Sequence, residues 1–330
     1  MNNQVKFYFS DKRIGVRMNG VKDIKLIAGS SHPELAQEIA KLLKIKLTPV
    51  TLTRFPNDNL FCRIEESIRG DDVFILQTSS RPVNDMLMEL LLMIDAAKYA
   101  SAARITAILP YYPYVRSDKK DQPRIPVTAR LVADLLQTAG AERLLTMDLH
   151  ALQILSFSRI PADQLLSISV VEEYLRKKDL SNTVIVSPDV GGLHRARFYA
   201  KKLDLPLAIM DKRRDKKNQK VKMGVIIGDV LGKNAIVIDD EITTGSTLFE
   251  TVSALKKAKA KDILAVCMHA VFAQSTEKKL TQSPLKELIV TNTVPLKARS
   301  KKIKILSIAS ILAQAIRRVH EGASVSELFS

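Results

Sequence analysis

Two adjacent carboxylates close an apolar run and are followed at once by hydroxyls and a glycine. The run is Ala235-Ile236-Val237-Ile238, the carboxylates are Asp239 and Asp240, and Glu241 and Ile242 lead into Thr243, Thr244, Gly245, Ser246 and Thr247. Successive N–H groups where a helix opens, with hydroxyls around them, make a cradle for an anion. Gly245 lets the backbone approach an oxyanion closely. The carboxylates cannot hold that anion; they suit the hydroxyls of an attached sugar, or a metal. A phosphorylated ribose fits both parts, with its 5-phosphate in the cradle and its 2,3-diol on Asp239 and Asp240. An ordinary capped strand–turn–helix would leave two charged carboxylates at the end of a buried strand without partners, which is costly.

Other polar clusters also follow strand-like runs. Arg104–Leu109 leads to the Tyr111–Lys120 segment, and Glu142–Met147 ends at Asp148-Leu149-His150. Thr183–Ser187 ends at Pro188-Asp189-Val190-Gly191-Gly192, and Pro206–Met210 ends at Asp211-Lys212-Arg213-Arg214. Further strands are expected at Ile24–Ala28, Asp72–Gln77, Gly224–Ile227, Ala235–Ile238, Asp262–Met268 and Lys286–Thr291. Between them, helices are expected from about Pro33, with Ser31 as its cap, and over Asn84–Tyr99, Pro126–Ala139, Arg195–Leu203, Thr247–Lys259 and Ser310–His320. Strands alternating with helices predict mainly parallel sheets with helices on both faces. Two such arrays predict two α/β domains, residues 1–162 and 163–330, with the final helix, 310–325, free to pack on the first. In such folds ligands bind beyond the carboxyl ends of the strands, which is where these clusters fall.

The 330 residues suffice for two domains. The net charge is +16, from 51 basic and 35 acidic residues, with a dense run at Lys212–Lys222. That excess suits nucleic acid, a membrane surface or a polyanionic small substrate. Zinc-finger, basic-zipper and RNP signatures are missing, and there is no Trp, so nucleic acid is not the expected partner. Cys62 and Cys267 form no CxxC pair and read as buried structural thiols in a reducing compartment. The start of the chain lacks an apolar signal core, and Met86–Ala97 is interrupted by Glu89 and Asp95. A cytoplasmic protein that does not enter the membrane is expected.

The Asp239–Thr247 stretch resembles the phosphoribosyl-diphosphate-binding motif shared by type I phosphoribosyltransferases and ribose-phosphate pyrophosphokinases. Five further stretches resemble the pyrophosphokinases: Ile64–Gly70, Tyr111–Lys120, Thr146–His150, Ser187–Gly192 and Asp211–Arg214. The resemblance runs from about Lys25 to Ser330. It implies two phosphoribosyltransferase-like domains that form phosphoribosyl diphosphate and AMP from ribose 5-phosphate and ATP, with Mg²⁺, for nucleotide biosynthesis.

On that resemblance, Lys212 and Arg214 are the catalytic basic residues. Arg116, Ser117, Lys119 and His150 belong to the ATP site, with Phe55, Asn57 and Asn59 facing adenine. Asp189, Asp239, Asp240, Thr243, Thr244, Gly245, Ser246 and Thr247 bind ribose 5-phosphate. His150 and Asp189 match the metal positions; since Mg²⁺ prefers oxygen ligands, His150 could instead donate to a phosphate. The adenine loop of the family belongs to a neighbouring subunit, which implies a homohexamer built from dimers. Lys216, Lys217, Lys220 and Lys222 read as a solvated basic loop, and His32, His194, His269 and His320 as structural.

The sequence departs from the family in two places. The adenine loop, usually Phe-x-Asp-Gly-Glu, reads Phe55-Pro56-Asn57-Asp58-Asn59, and Asp58 must tolerate a left-handed backbone. Thr243 stands where the family carries a third acid. The first departure raises the alternative of a catalytically weak regulatory paralogue that co-assembles with an active synthetase. The second, with its Ile-Thr-Thr-Gly reading, raises that of a phosphoribosyltransferase.

Overall fold

A computed structural model describes residues 21–211, 225–297 and 299–329. The expected catalytic residues Lys212 and Arg214, the rest of the basic run to Lys222, and the N-terminal arm to residue 20 lie outside the described residues.

Strands β1 (Ile24–Ala28), β2 (Leu47–Thr48), β5 (Asp72–Leu76), β6 (Arg104–Leu109), β7 (Arg143–Met147) and β8 (Ala162–Leu165) form a parallel sheet in the order β2-β1-β5-β6-β7-β8. Among the described residues, strands β3 (Val50–Arg54) and β4 (Leu60–Ile64) pair only with each other, as an antiparallel hairpin. The second sheet contains β9 (Thr183–Ser187), β10 (Leu207–Asp211), β11 (Val225–Ile227), β12 (Asn234–Ile242), β13 (Ile263–Ala270), β14 (Glu287–Thr291) and β15 (Ile303–Leu306). Its order is β11-β10-β9-β12-β13-β14-β15, and every pair is parallel except β10–β11.

Alternate side chains of each buried strand pack on opposite faces. In the first sheet Leu26, Phe74, Ile108 and Leu145 meet helix α1 (Pro33–Leu43) and the final helix α8 (Ala309–Glu321). Ile27, Val73, Ile75 and Ala107 turn the other way, onto α2 (Val83–Tyr99) and α3 (Thr128–Ala139). In the second sheet Ile185, Ile236 and Val266 pack on α4 (Ile168–Leu175) and α5 (Leu193–Leu203). Val184, Val237 and Ala265 pack on α6 (Ser246–Lys257), and α7 (Thr276–Gln282) closes that end through Leu280. The final helix is thus part of the first sheet's core, and its carboxyl end is held there by polar contacts. Arg104 donates to Asp72 and to the Val319 carbonyl, and His320 Nδ1 lies 3.0 Å from Asp72 Oδ2.

Some local expectations are corrected. His32, not Ser31, caps α1: its Nδ1 accepts from Leu35 N. Ser31 Oγ instead accepts from Thr78 N at 2.9 Å, because the loop after β1 is drawn onto the loop after β5. Helix α3 starts at Thr128 rather than Pro126, since Ser117 Oγ accepts from Thr128 N. The residues up to Ile227 do form a strand, but an antiparallel edge one. Cys267 is buried and Cys62 only half-buried; burial pushes the Cys62 thiol up to about 11.

Candidate active site

The carboxyl ends of the two sheets face each other. Thr78, after β5, donates to the Thr293 carbonyl beyond β14 at 2.6 Å. His269, near the end of β13, lies between the halves: Nε2 donates to the Asp148 carbonyl, so Nδ1 accepts from Thr293 Oγ1 at 2.9 Å. Its ring lies 4.8 Å from that of Tyr111, and burial pushes its pKa down to about 4.

In the cleft lies a cavity of about 280 Å³. Its lining joins Arg116 and His150 of the first half to Asp189, Asp239, Asp240 and the whole loop from Glu241 to Leu248. Strand β12 delivers the carboxylates as its apolar residues fill both faces of the sheet. Asp240 is buried and engaged on both oxygens: His150 Nδ1 donates to Oδ2 at 2.5 Å, and Arg195 Nη1 lies 3.3 Å from Oδ1. Burial raises the Asp240 pKa, but the His150 hydrogen bond and the Arg195 charge outweigh it and hold this carboxyl low. Asp239 is raised, by burial first and then by its charged neighbour. Its Oδ1 accepts from Asp240 N at 3.0 Å. His150 is in turn raised by its bond to Asp240.

The loop that follows is fixed in shape. The Thr243 carbonyl accepts from Ala273 N at 3.0 Å and from Thr276 Oγ1 at 2.6 Å. Gly245 precedes α6 with φ +72°, and a Cβ there would lie 2.4 Å from the Phe249 ring. Glycine is therefore demanded both by the backbone and by the packing beneath it. The first-turn N–H groups of α6 lack intrahelical acceptors and open beside the cavity.

Asp189 organises its own turn: Oδ1 accepts from Gly192 N at 2.8 Å and its carbonyl accepts from Ser187 Oγ. Among the described residues no three His, Cys, Asp or Glu side chains form a ready metal cage. The donor set suits Mg²⁺ nonetheless, because that ion is commonly held by one or two carboxylates together with substrate phosphates.

Not all expected residues meet in this cavity. Ser117 Oγ is occupied at the start of α3, and Lys119 is exposed and does not line the cavity. Phe55, Asn57 and Asn59 lie at the tip of the β3–β4 hairpin, away from the cavity lining. There Asp58 adopts φ +70°, and Asn57 Oδ1 accepts from Asn59 N. Phe55 is 49% exposed and tilts against Phe61. Conversely, sequence reasoning gave no part to Arg195, one turn into α5, or to Tyr111 and Glu241. The Tyr111 hydroxyl donates to Glu241 Oε2 at 2.9 Å.

Two mainly parallel α/β sheets meeting at their carboxyl ends, one carrying a carboxylate pair and a glycine-led helix start beside the cavity, define a phosphoribosyltransferase-type fold. Residues 24–140 match the N-terminal domain of ribose phosphate pyrophosphokinase, and residues 214–330 match the phosphoribosyl synthetase-associated domain. The ribose-phosphate pyrophosphokinase of Wolinella succinogenes is 48% identical over 309 residues, which cover 94% of this chain and all of that protein. That of Clostridium acetobutylicum is 46% identical over 317 residues, covering 94% of this chain and 99% of that one. The crystal structure of phosphoribosylpyrophosphate synthetase from Mycobacterium smegmatis superposes with a TM-score of 0.87 at 42% identity, covering 92% of this chain and all of that one. The chain belongs to the ribose-phosphate pyrophosphokinase family.

Proposed function

We propose that the protein transfers the diphosphoryl group of ATP to the anomeric hydroxyl of ribose 5-phosphate. The anomeric oxygen bonds to the β-phosphorus, the bond from that phosphorus to the bridging α,β-oxygen breaks, AMP departs with that oxygen, and the hydroxyl proton is released. The observation that carries this reading is the single cavity in which Arg116 and His150 of one sheet meet Asp239–Thr247 of the other.

Such a transfer depends mostly on positioning and charge neutralisation. The sugar 5-phosphate would sit on Thr243, Thr244, Gly245, Ser246 and Thr247 at the start of α6. Asp240 is already held by His150 and Arg195, so Asp239 is the carboxylate better placed to accept from the diol. Arg116, with Ser117 and Lys119 beside it, would take the ATP phosphates; Arg suits this because its fork grips two oxygens. Lys212 and Arg214 would stabilise charge as it moves to the departing α-phosphate.

Asp189 and His150 would hold Mg²⁺ together with phosphate oxygens, and the ion would neutralise the two anions as they approach. The adenine would lie on the Phe55–Asn59 tip of a neighbouring subunit, in a homohexamer built from dimers. That assembly would complete a site whose hairpin does not reach its own cavity. We take the first sheet with its helices as the ATP-handling domain and the second sheet with its helices as the sugar-handling domain; β8, at Ala162–Leu165, moves the boundary from residue 162 to beyond Leu165, and α8 belongs with the first. Among the described residues no helix is long and apolar enough to cross a membrane, and we assign the enzyme to the cytoplasm.

The test is to incubate the protein with ribose 5-phosphate, Mg²⁺ and a panel of nucleoside triphosphates. Equal amounts of AMP and phosphoribosyl diphosphate are expected from ATP. No product from any nucleotide would overturn the reading.

A further inference from the structure

Glu241 places a carboxylate side chain where water hardly reaches it. Its side chain is 3% exposed, at the end of β12 between Asp240 and the turn. One oxygen, Oε2, accepts from the Tyr111 hydroxyl at 2.9 Å, and the other, Oε1, faces Arg116 Nη2 at 3.3 Å. Both partners come from the segment after β6, in the opposite sheet. Tyr111 is itself fixed, since its N–H donates to Thr78 Oγ1 at 3.1 Å and its ring lies against His269. Glu241 is therefore held on one side by a buried, immobile phenol and presents its second oxygen to an arginine that is 56% exposed.

An exposed arginine spreads over many rotamers, and a ligand that needs one of them meets the cost of ordering it. A buried carboxylate reaching its guanidinium removes much of that freedom in advance. One of five N–H donors faces Glu241, which leaves the others for the cavity that both residues line. We propose that Glu241 is a positioning residue: it aims Arg116 across the cleft, setting the arginine that receives ATP in register with the sugar loop next to Glu241 itself. The proposal rests on Arg116 being a nucleotide-phosphate contact, as assigned above.

Glu241→Gln keeps the shape of the side chain and an acceptor for Tyr111 but removes the charge that holds Arg116. Equilibrium titration with a non-hydrolysable ATP analogue and Mg²⁺ should show about tenfold weaker binding, with ribose 5-phosphate affinity changed less than about twofold. In an Arg116→Ala background the same change should add less than about twofold, because the residue through which Glu241 acts is gone. Glu241→Met, of similar volume, should show the same selective loss, and unfolding curves for each variant confirm that it is folded. Unchanged nucleotide affinity, equal loss for both ligands, or a full effect persisting in the Arg116→Ala background would overturn the proposal. The titrations need no turnover, so failure of the wild-type protein to form AMP would count against the assigned reaction and not against this role.

Discussion

His150 Nδ1 lies 2.5 Å from Asp240 Oδ2 and so ties the turn after β7 to the Asp239–Thr247 loop of the other sheet. With Arg195 on the second oxygen, Asp240 is a fastening between the halves as well as a wall of the site. Among the described residues, Asp239 has no such clamp from the first half. Asp240→Ala is expected to lower kcat/KM for ribose 5-phosphate by at least about a hundredfold while nucleotide binding persists, because it leaves Arg195 without its buried partner and frees His150. Asp239→Asn should weaken ribose 5-phosphate binding with a smaller loss of thermal stability. Steady-state kinetics, nucleotide titration and melting curves on both variants check this; equal loss of sugar and nucleotide binding in Asp240→Ala would contradict it.

The strand and turn that line the cavity were legible in the sequence because they are contiguous: strand, carboxylates, hydroxyls and glycine lie within thirteen residues, Ala235–Thr247. The same holds for strands whose residues are buried on both faces, such as Asp72–Leu76. What could not be read is what distance in sequence hides. Arg195 and Asp240 are 45 positions apart (195 and 240), and no local pattern announces that they pair. The β3–β4 hairpin, with Thr51, Thr53, Arg54 and Arg63 along it, has too weak an apolar face to stand out. Strand β8, Ala-Asp-Gln-Leu, is a strand only because β7 offers it an edge. Ser31 has the residue type and position of a cap, but its partner, Thr78, lies 47 residues on, where no local pattern points to it.

Asp72 anchors the final helix from beneath the first sheet. Its side chain is fully buried, salt-bridged to Arg104 at 2.5 Å and touched by His320 from α8. Asp72→Ala leaves Arg104 without its charge partner in a mostly buried setting, a change that costs about 3–5 kcal/mol. Asp72→Asn should cost less, since it still accepts one hydrogen bond. Urea unfolding gives both values, and a loss under about 1 kcal/mol for Asp72→Ala would show the clamp to be dispensable.

The buried imidazole of His269 makes stability depend on pH in a definite direction. Its folded pKa, about 4, lies below the ordinary value near 6.5. Between these values the unfolded chain binds the proton and the folded chain does not, so stability is lost as pH falls from about 6.5 toward 4, by an amount on the order of 3 kcal/mol. Asp148, pushed up to about 6 by burial, acts in the opposite sense over part of the same window. The wild-type slope therefore mixes the two, and the difference between wild type and His269→Gln isolates the histidine. Unfolding free energies measured at pH 7.5 and 4.5 should converge between wild type and variant as pH falls. Parallel curves would mean that burial does not hold His269 neutral.

Gly245 gives the most direct check on the proposed anion cradle. A methyl group added there meets the Phe249 ring at 2.4 Å, and φ of +72° is unfavourable for any residue with a Cβ, by about 1–2 kcal/mol. Relief of that strain requires either the ring or the loop to move, and the loop carries the N–H groups of the first turn of α6. Gly245→Ala should therefore raise KM for ribose 5-phosphate by about tenfold or more, with nucleotide affinity little changed. Combining it with Phe249→Ala separates the two causes. The double variant removes the ring contact but not the backbone penalty, so partial recovery of KM is expected. Full recovery would assign the glycine to packing alone. No recovery would assign it to the left-handed turn, which then sets the shape of the cradle on its own.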